Sequence, residues 1–420
     1  MTEKDPRHIS IQEYDYHLPE QRIAVHPLAE RDASRLLIYR NGTITESHYR
    51  QLHEYIPANT MMIFNNSKVI PARILFTKAT GGVIEIFCLE PHQLQQDYAV
   101  VMSQTGSTNW KCMVGGIAKW KTPFIEKKIL IHQTEVIVKA SIIEKGTEHH
   151  VVQFEWSPAQ YSFAEILTAA GNMPLPPYIK RDATDEDGER YQTVYAREKG
   201  SVAAPTAGLH FTPELLSKLS EKGIAQKEVC LHVGAGTFKP VKADKMEAHE
   251  MHAEWIDISI DTIRNIRDHE GPVIAVGTTS LRTIESIYWL GVKTMINPHA
   301  EIFSLQQWDV YDENLHQLAG SKEEVLSALI DRMQRKCIHR LFTQTQLLIA
   351  PGYHFKIADG LVTNFHQPKS TLLLLVAAGI GEQWKTCYDY ALENDFRFLS
   401  YGDGSLLYFD QERLSVTAVS

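Results

Sequence analysis

Cysteine is scarce in this chain: five residues in 420, at Cys88, Cys112, Cys230, Cys337 and Cys387, with no two forming a CxxC pair. An odd, dispersed set excludes a disulfide framework and a thiolate zinc site, and it fits reduced thiols. Long apolar runs are missing too. The longest, Leu372–Ile380, falls far short of the ~20 residues that cross a bilayer. The opening MTEKDPRHIS is polar and has no apolar signal core, so a cytoplasmic protein is expected. Basic charge is in deficit, with 42 Lys and Arg against 51 Asp and Glu and a net charge of −9. That balance excludes nucleic-acid binding through overall charge, although local basic patches remain available. Internal repeats and low-complexity tracts are absent.

What is present is an ordinary globular composition, 44% hydrophobic and 22% charged, long enough for two or three domains. Ser34–Tyr39 and Met61–Phe64 read as strands. From about Ser67 to Trp156 the texture changes to short alternating segments: Val83–Leu89, Tyr98–Met102, Trp110–Val114, Ile129–Ile131, Glu135–Ala140 and Val151–Trp156. Short strands at that spacing predict a small β-barrel or sandwich. Downstream, strands alternate with helices: helices at Ser162–Ala170, Thr212–Lys222, Asp261–Asp268 and Leu281–Leu290, strands at Val229–Val233 and Val273–Val276. The expected fold is therefore a layered α/β core, residues 1–66 and 157–420, with a β-barrel of residues 67–156 inserted into it. Ser321–Phe342 opens like a capping box and carries an apolar stripe at Val325, Leu326, Leu329, Ile330 and Met333, which predicts a helix packed on the core.

Gly171–Phe211 is the most distinctive stretch. GNMPLPPYIKR, ERYQTVYA and GSVAAPTAGLHF neither alternate like a strand nor repeat like a helix. Prolines stiffen the segment and small residues allow close approach, the texture of a loop system that lines a cleft. These blocks resemble the S-adenosylmethionine:tRNA ribosyltransferase-isomerases of the queuosine pathway. The resemblance extends in family order through ERDASR with LIYR (Glu30–Arg40), FNNSKVIPARI (Phe64–Ile74), TGGVIEIF (Thr80–Phe87), LHVGAGTFKPV (Leu231–Val241), HEMHAEW (His249–Trp255), VIAVGTTSLRTIES (Val273–Ser286), LVTNFHQPKSTLLLLV (Leu361–Val376) and FRFLSYGDG (Phe396–Gly404). It departs at about 290–346, where this chain is longer than the family pattern.

The resemblance implies that the ribosyl group of S-adenosylmethionine is transferred to 7-aminomethyl-7-deazaguanine at the wobble position of a tRNA anticodon and isomerised, giving epoxyqueuosine, with release of adenine and methionine. Such chemistry needs a base beside the acidic carbon next to the sulfonium, a proton donor near the departing adenine, and fixed donors for anionic groups; it needs no metal. His210, His232 and His366 are the candidates for proton transfer, because histidine changes charge near neutral pH. Taken singly, each reads more readily as a hydrogen-bonded core histidine. His249 and His252 form no HExxH, so no metal is expected.

Gly234-Ala235-Gly236 lacks the third glycine of a dinucleotide loop and runs into proline, so a tight turn against the co-substrate fits better than a Rossmann loop. Gly277-Thr278-Thr279 followed by a helix favours an anion, with Arg282 one turn in to clasp a carboxylate. Thr206, Gly208, Gly234, Gly236, Thr278, Thr279, Arg282, Glu254 and Asn364 are the expected co-substrate contacts. Arg31, Arg35, Lys180 and Arg181 are expected to face phosphate, and Tyr178 and Tyr191 to stack on bases. A monomer acting on tRNA is expected. Two other readings stay open: a relative that uses S-adenosylmethionine on another acceptor, and a catalytically silent tRNA-binding homologue.

Overall fold

The computed structural model describes residues 5–409, apart from 79, 93–97, 148, 235–240, 242 and 302. A nine-stranded mixed sheet forms its centre, in the order Arg340–Thr345, Glu254–Ser259, Ala225–His232, Met61–Asn65, Val273–Val276, Gly360–Asn364, Gly404–Tyr408, Arg35–Arg40, Thr43–His48. Met61–Asn65 and Val273–Val276 are buried at every position. That follows from their place mid-sheet with cover on both faces, and it explains why they read as continuous apolar runs. Ala225–His232, Met61–Asn65, Val273–Val276 and Gly360–Asn364 run parallel. Their carboxyl ends therefore meet at one edge of the sheet, the edge where ligands bind in open α/β sheets.

A second sheet is wholly antiparallel, with seven strands in the order Gly171–Asn172, Arg73–Thr77, Val83–Pro91, Ser107–Gly115, His150–Ser157, Thr134–Lys145, Ile125–Ile131. It encloses its own core of Ile74, Phe76, Trp110, Phe154 and Phe163, separate from the core under the large sheet. The expected β module is present, but no ladder joins its two outer strands among the described residues.

Two expected elements change type. Tyr98–Met102 is a short helix, not a strand; a five-residue apolar run does not distinguish the two by period. The predicted helix Ser321–Phe342 stops at Arg335. There Cys337 adopts φ 54°, its N–H bonds the Gln334 carbonyl at 3.0 Å, and Ile338 N–H bonds Met333 at 3.0 Å. This paired closure is a Schellman ending, here without the usual glycine. The chain then reverses into the edge strand Arg340–Thr345. The stripe from Val325 to Met333 is buried, as its spacing predicts.

The loop system 171–211 carries its own short elements. The helix Asp185–Arg190 and the 3-10 turn Thr206–His210 stand within it.

Candidate active site

Three of the four parallel strands end beside one cavity of about 790 Å³. Gly234 follows the first, Gly277-Thr278-Thr279 the third, and Asn364 with His366 the fourth, and all of these line the cavity. Gly277 holds φ 86°, the left-handed region, which turns the strand directly into the 19-residue helix Thr278–Ile296. That helix end presents unpaired backbone N–H groups and a partial positive charge to the cavity. Thr279 Oγ1, buried there, has no hydrogen-bond partner among the described residues.

Arg282 sits one turn further in. Its Nε donates to the Leu347 carbonyl at 3.0 Å and its Nη1 donates to Glu254 Oε2, while its buried Nη2 has no partner among the described residues. Both side chains of this ion pair are buried and both residues line the cavity. A buried guanidinium with one unused donor, in a residue that lines a cavity, is suited to an anionic or carbonyl group. Glu254 orients Arg282.

His366 lines the cavity. Its Nε2 lies 2.9 Å from Thr363 Oγ1, its backbone N–H donates to the Tyr388 hydroxyl at 3.0 Å, and the Tyr16 hydroxyl donates to its carbonyl. Burial lowers its pKa to about 4, so the ring is neutral at pH 7 and able to accept a proton. His210 does not line the cavity. It is buried behind the wall, stacked on Tyr49 at 4.3 Å, with Nε2 3.3 Å from Asn364 Nδ2. Asn364 Oδ1 accepts from Thr206 Oγ1 at 2.7 Å, and both of those residues do line the cavity. Burial, ahead of nearby arginines, lowers His210 to about 3. His210 thus fixes the Asn364 amide from behind, and direct proton transfer from substrate does not fit its position.

His232 faces a smaller adjoining hollow, 3.6 Å from Cys230 Sγ through Nε2. Gly208 is not a contact surface: a Cβ there would lie 2.0 Å from the Tyr195 hydroxyl oxygen and 2.8 Å from Thr193 Cγ2, so its role is close packing. Gly236 lies outside the described residues.

The expected cations mostly serve the fold. Arg31 donates to the carbonyls of Gln192 (2.8 Å), Leu209 (3.1 Å) and Glu189 (2.9 Å), tying the loop system together. Arg35 is paired with Glu46 at 2.6 Å and lies over Phe396. Arg181 forms a forked pair with Asp187, at 2.6 and 2.8 Å. Burial acts to raise the Asp187 carboxyl, but Arg181, the Thr184 N–H and the Tyr401 hydroxyl hold it well below the usual range. Lys180 is exposed and paired with Glu20 at 2.6 Å. Two further cations, Arg332 and Arg340, are engaged in the same way. Arg332 is buried on the carbonyls of Pro298 and Ala300, and Arg340 forks onto Asp257 from the next strand. Tyr178 and Tyr191 line the cavity, the first with its hydroxyl 2.5 Å from Ser400 Oγ.

Sequence reasoning missed the opposite wall. Leu89, Glu90, Lys111, Met113 and His149 of the antiparallel module line the same cavity, with Lys111 and Glu90 paired at 2.7 Å. Only the packing of the two sheets brings them there. It also missed Thr363, the partner of His366. His249, Glu250 and His252 line the cavity, but no group of three or more potential metal ligands forms among the described residues. No helix among them is long and apolar enough to cross a membrane.

Residues 11–407 match the family model described as queuosine biosynthesis protein. The chain is similar to proteins named S-adenosylmethionine:tRNA ribosyltransferase-isomerase from Magnetococcus marinus (36% identity, 95% of each chain), Chlorobaculum parvum (37%, 94% of this chain and 99% of that one) and Nitratidesulfovibrio vulgaris (38%, 94% and 96%). A crystal structure of S-adenosylmethionine tRNA ribosyltransferase from Thermotoga maritima is 26% identical over 94% of this chain and 99% of that one, with a TM-score of 0.43. The chain belongs to the queuosine biosynthesis protein family.

Proposed function

We propose that this enzyme is an S-adenosylmethionine:tRNA ribosyltransferase-isomerase that modifies 7-aminomethyl-7-deazaguanine in a tRNA anticodon. The reading rests on one observation above the others: the first turns of a long helix, with Thr278, Thr279 and Arg282, line a cavity large enough for a nucleoside co-substrate, and the Thr279 hydroxyl and Arg282 Nη2 have no partner among the described residues. In this reading Thr278, Thr279 and Arg282 hold the methionine carboxylate. Thr206, Asn364 and Gly234 lie along the nucleoside, and half-buried Tyr178 offers a ring face to a base, whereas Tyr191 is fully buried and serves packing instead. The sulfonium's own positive charge acidifies the adjacent carbon, and the reading invokes no metal.

His366 is the proposed proton acceptor, because it is neutral, lines the cavity and is held by Thr363 and Tyr388. His210 acts through Asn364. The antiparallel module, proposed as a barrel-like insertion of residues 67–156, closes the cavity from the other side with Lys111 and Glu90. The experiment is incubation with S-adenosylmethionine and an anticodon stem-loop bearing the aminomethyl base. Stoichiometric adenine and methionine release is expected. Methyl transfer would assign the protein to another S-adenosylmethionine chemistry, and absence of turnover with retained RNA binding would make it a binding homologue. Equal reaction of the free base would remove tRNA from the proposal.

A further inference from the structure

The large sheet ends in an aromatic face that the reaction does not use. On the edge strand, Phe342 is 37% exposed, and its ring stacks on Trp255 of the neighbouring strand with centroids 4.5 Å apart and planes within 10°. Strand pairing explains the stack: Trp255 faces Gln344 and Asp257 faces Phe342, so the two rings are diagonal neighbours on one face. His232 pairs directly with Trp255 on the next strand inward. The inward residues of the same strands, Leu231, Ile256 and Leu341, are buried in the core. An exposed phenylalanine on an edge strand is a liability unless something covers it. Phe124, the other exposed phenylalanine among the described residues, carries the Lys139 ammonium over its ring.

Beside the stack lies a hollow of about 40 Å³, lined by His232, Trp255 and Phe342 on one side and Leu89–Pro91 of the antiparallel module on the other. It shares Leu89, Glu90, Val233, Gly234 and Ala253 with the main cavity, so the two adjoin. It is far smaller than the main cavity of about 790 Å³, so a base would lie across its mouth against the exposed ring. Charge does not define this face, because Arg340 is already paired with Asp257 at 2.8 Å and approaches Glu198 at 4.0 Å. What it offers is a flat apolar surface at the rim of the active site.

We infer that the Trp255–Phe342 stack is a platform for an unpaired RNA base next to the one being modified. The inference rests on the RNA reading above. An enzyme that draws one loop base into a cavity must unstack it from its neighbour. An aromatic face at the cavity rim replaces the lost stacking in a sequence-tolerant way.

The test is titration of the aminomethyl-bearing anticodon stem-loop, followed by fluorescence anisotropy, against the full-length protein and its Phe342→Ala and Phe342→Tyr variants. Phe342→Ala should bind roughly five- to 150-fold more weakly, the range that loss of one base–aromatic stack gives. S-adenosylmethionine affinity and the unfolding midpoint should stay unchanged, and Phe342→Tyr should bind like the parent. With 2-aminopurine beside the modified position, binding should quench its fluorescence in the parent and not in Phe342→Ala. Equal stem-loop affinity of Phe342→Ala and parent would overturn the platform while leaving the RNA reading intact. Equal affinity together with loss of a dimer in sedimentation would make this face a protein interface instead. Failure of the parent itself to bind the stem-loop would refute the RNA reading, and the platform with it.

Discussion

Replacing Arg282 with alanine should do two separable things. The guanidinium neutralises Glu254 inside the cavity wall, where the two residues are 7% and 4% exposed. Removing it takes the cation from a buried ion pair, which costs about 3–5 kcal/mol of folding stability, and it takes the Arg282 donor from the Leu347 carbonyl, about 1 kcal/mol more. Independently, the unpartnered Nη2 is the donor assigned to the methionine carboxylate, and loss of a hydrogen bond to a charged group costs about 1.5–3 kcal/mol, roughly ten- to 150-fold in affinity. A second variant separates the effects. In Arg282→Met/Glu254→Leu the whole pair is replaced by apolar side chains, which is commonly neutral or stabilising for a buried pair. Urea unfolding should therefore show Arg282→Ala strongly destabilised and the double variant restored to near the parent. Calorimetry should show S-adenosylmethionine binding weakened in both. Recovery of cofactor affinity along with stability in the double variant would refute a ligand role for Arg282 and leave it as a structural ion pair.

The acid limb of the stability curve should report the two buried histidines. An unfolded histidine titrates near 6.5, and burial lowers His366 to about 4 and His210 to about 3. Below pH 6.5 the unfolded chain takes up protons that the native state refuses. Their stabilisation is thus complete above that pH and is lost as pH falls towards 4, by at most about 1.4 kcal/mol per pH unit for each ring. His366→Gln should flatten that slope by one proton's worth, and an unchanged slope in urea titrations would contradict its burial as a neutral ring. The same variant should abolish adenine release while the protein stays folded; retained turnover would remove His366 as proton acceptor. His210→Gln, which keeps a hydrogen-bonding group behind Asn364, should retain measurable turnover in the same assay; complete loss in a folded protein would return His210 to direct chemistry. Arg181→Gln should lower the unfolding free energy sharply, by about 3–5 kcal/mol for breaking the pair with buried Asp187, whereas exposed Lys180→Gln should leave it unchanged. Equal behaviour of the two would refute the structural assignment of Arg181.

Local chemistry was legible in the residues themselves. Continuous apolar runs at Met61–Phe64 and Val273–Val276 marked buried strands, the Ser321 cap and its stripe marked a helix, and Gly277-Thr278-Thr279 marked a turn from strand to helix. Each of these depends on neighbours a few residues away, so periodicity and turn chemistry suffice. Where the period was too short, as at Tyr98–Met102, or where a left-handed Cys337 ended a helix without glycine, the sequence carried no decisive local signal. Partnership was a different matter. Whether Arg31 met phosphate or three backbone carbonyls, whether Arg181 was free or forked onto Asp187, and whether His210 lined the cavity or stood behind Asn364 depended on contacts spanning up to nearly 180 residues of chain. The wall built from Lys111 and Glu90 depended on how two sheets pack. Residue type sets what a side chain is able to do; desolvation and the groups placed around it decide which of those things it does, and only the folded chain fixes both.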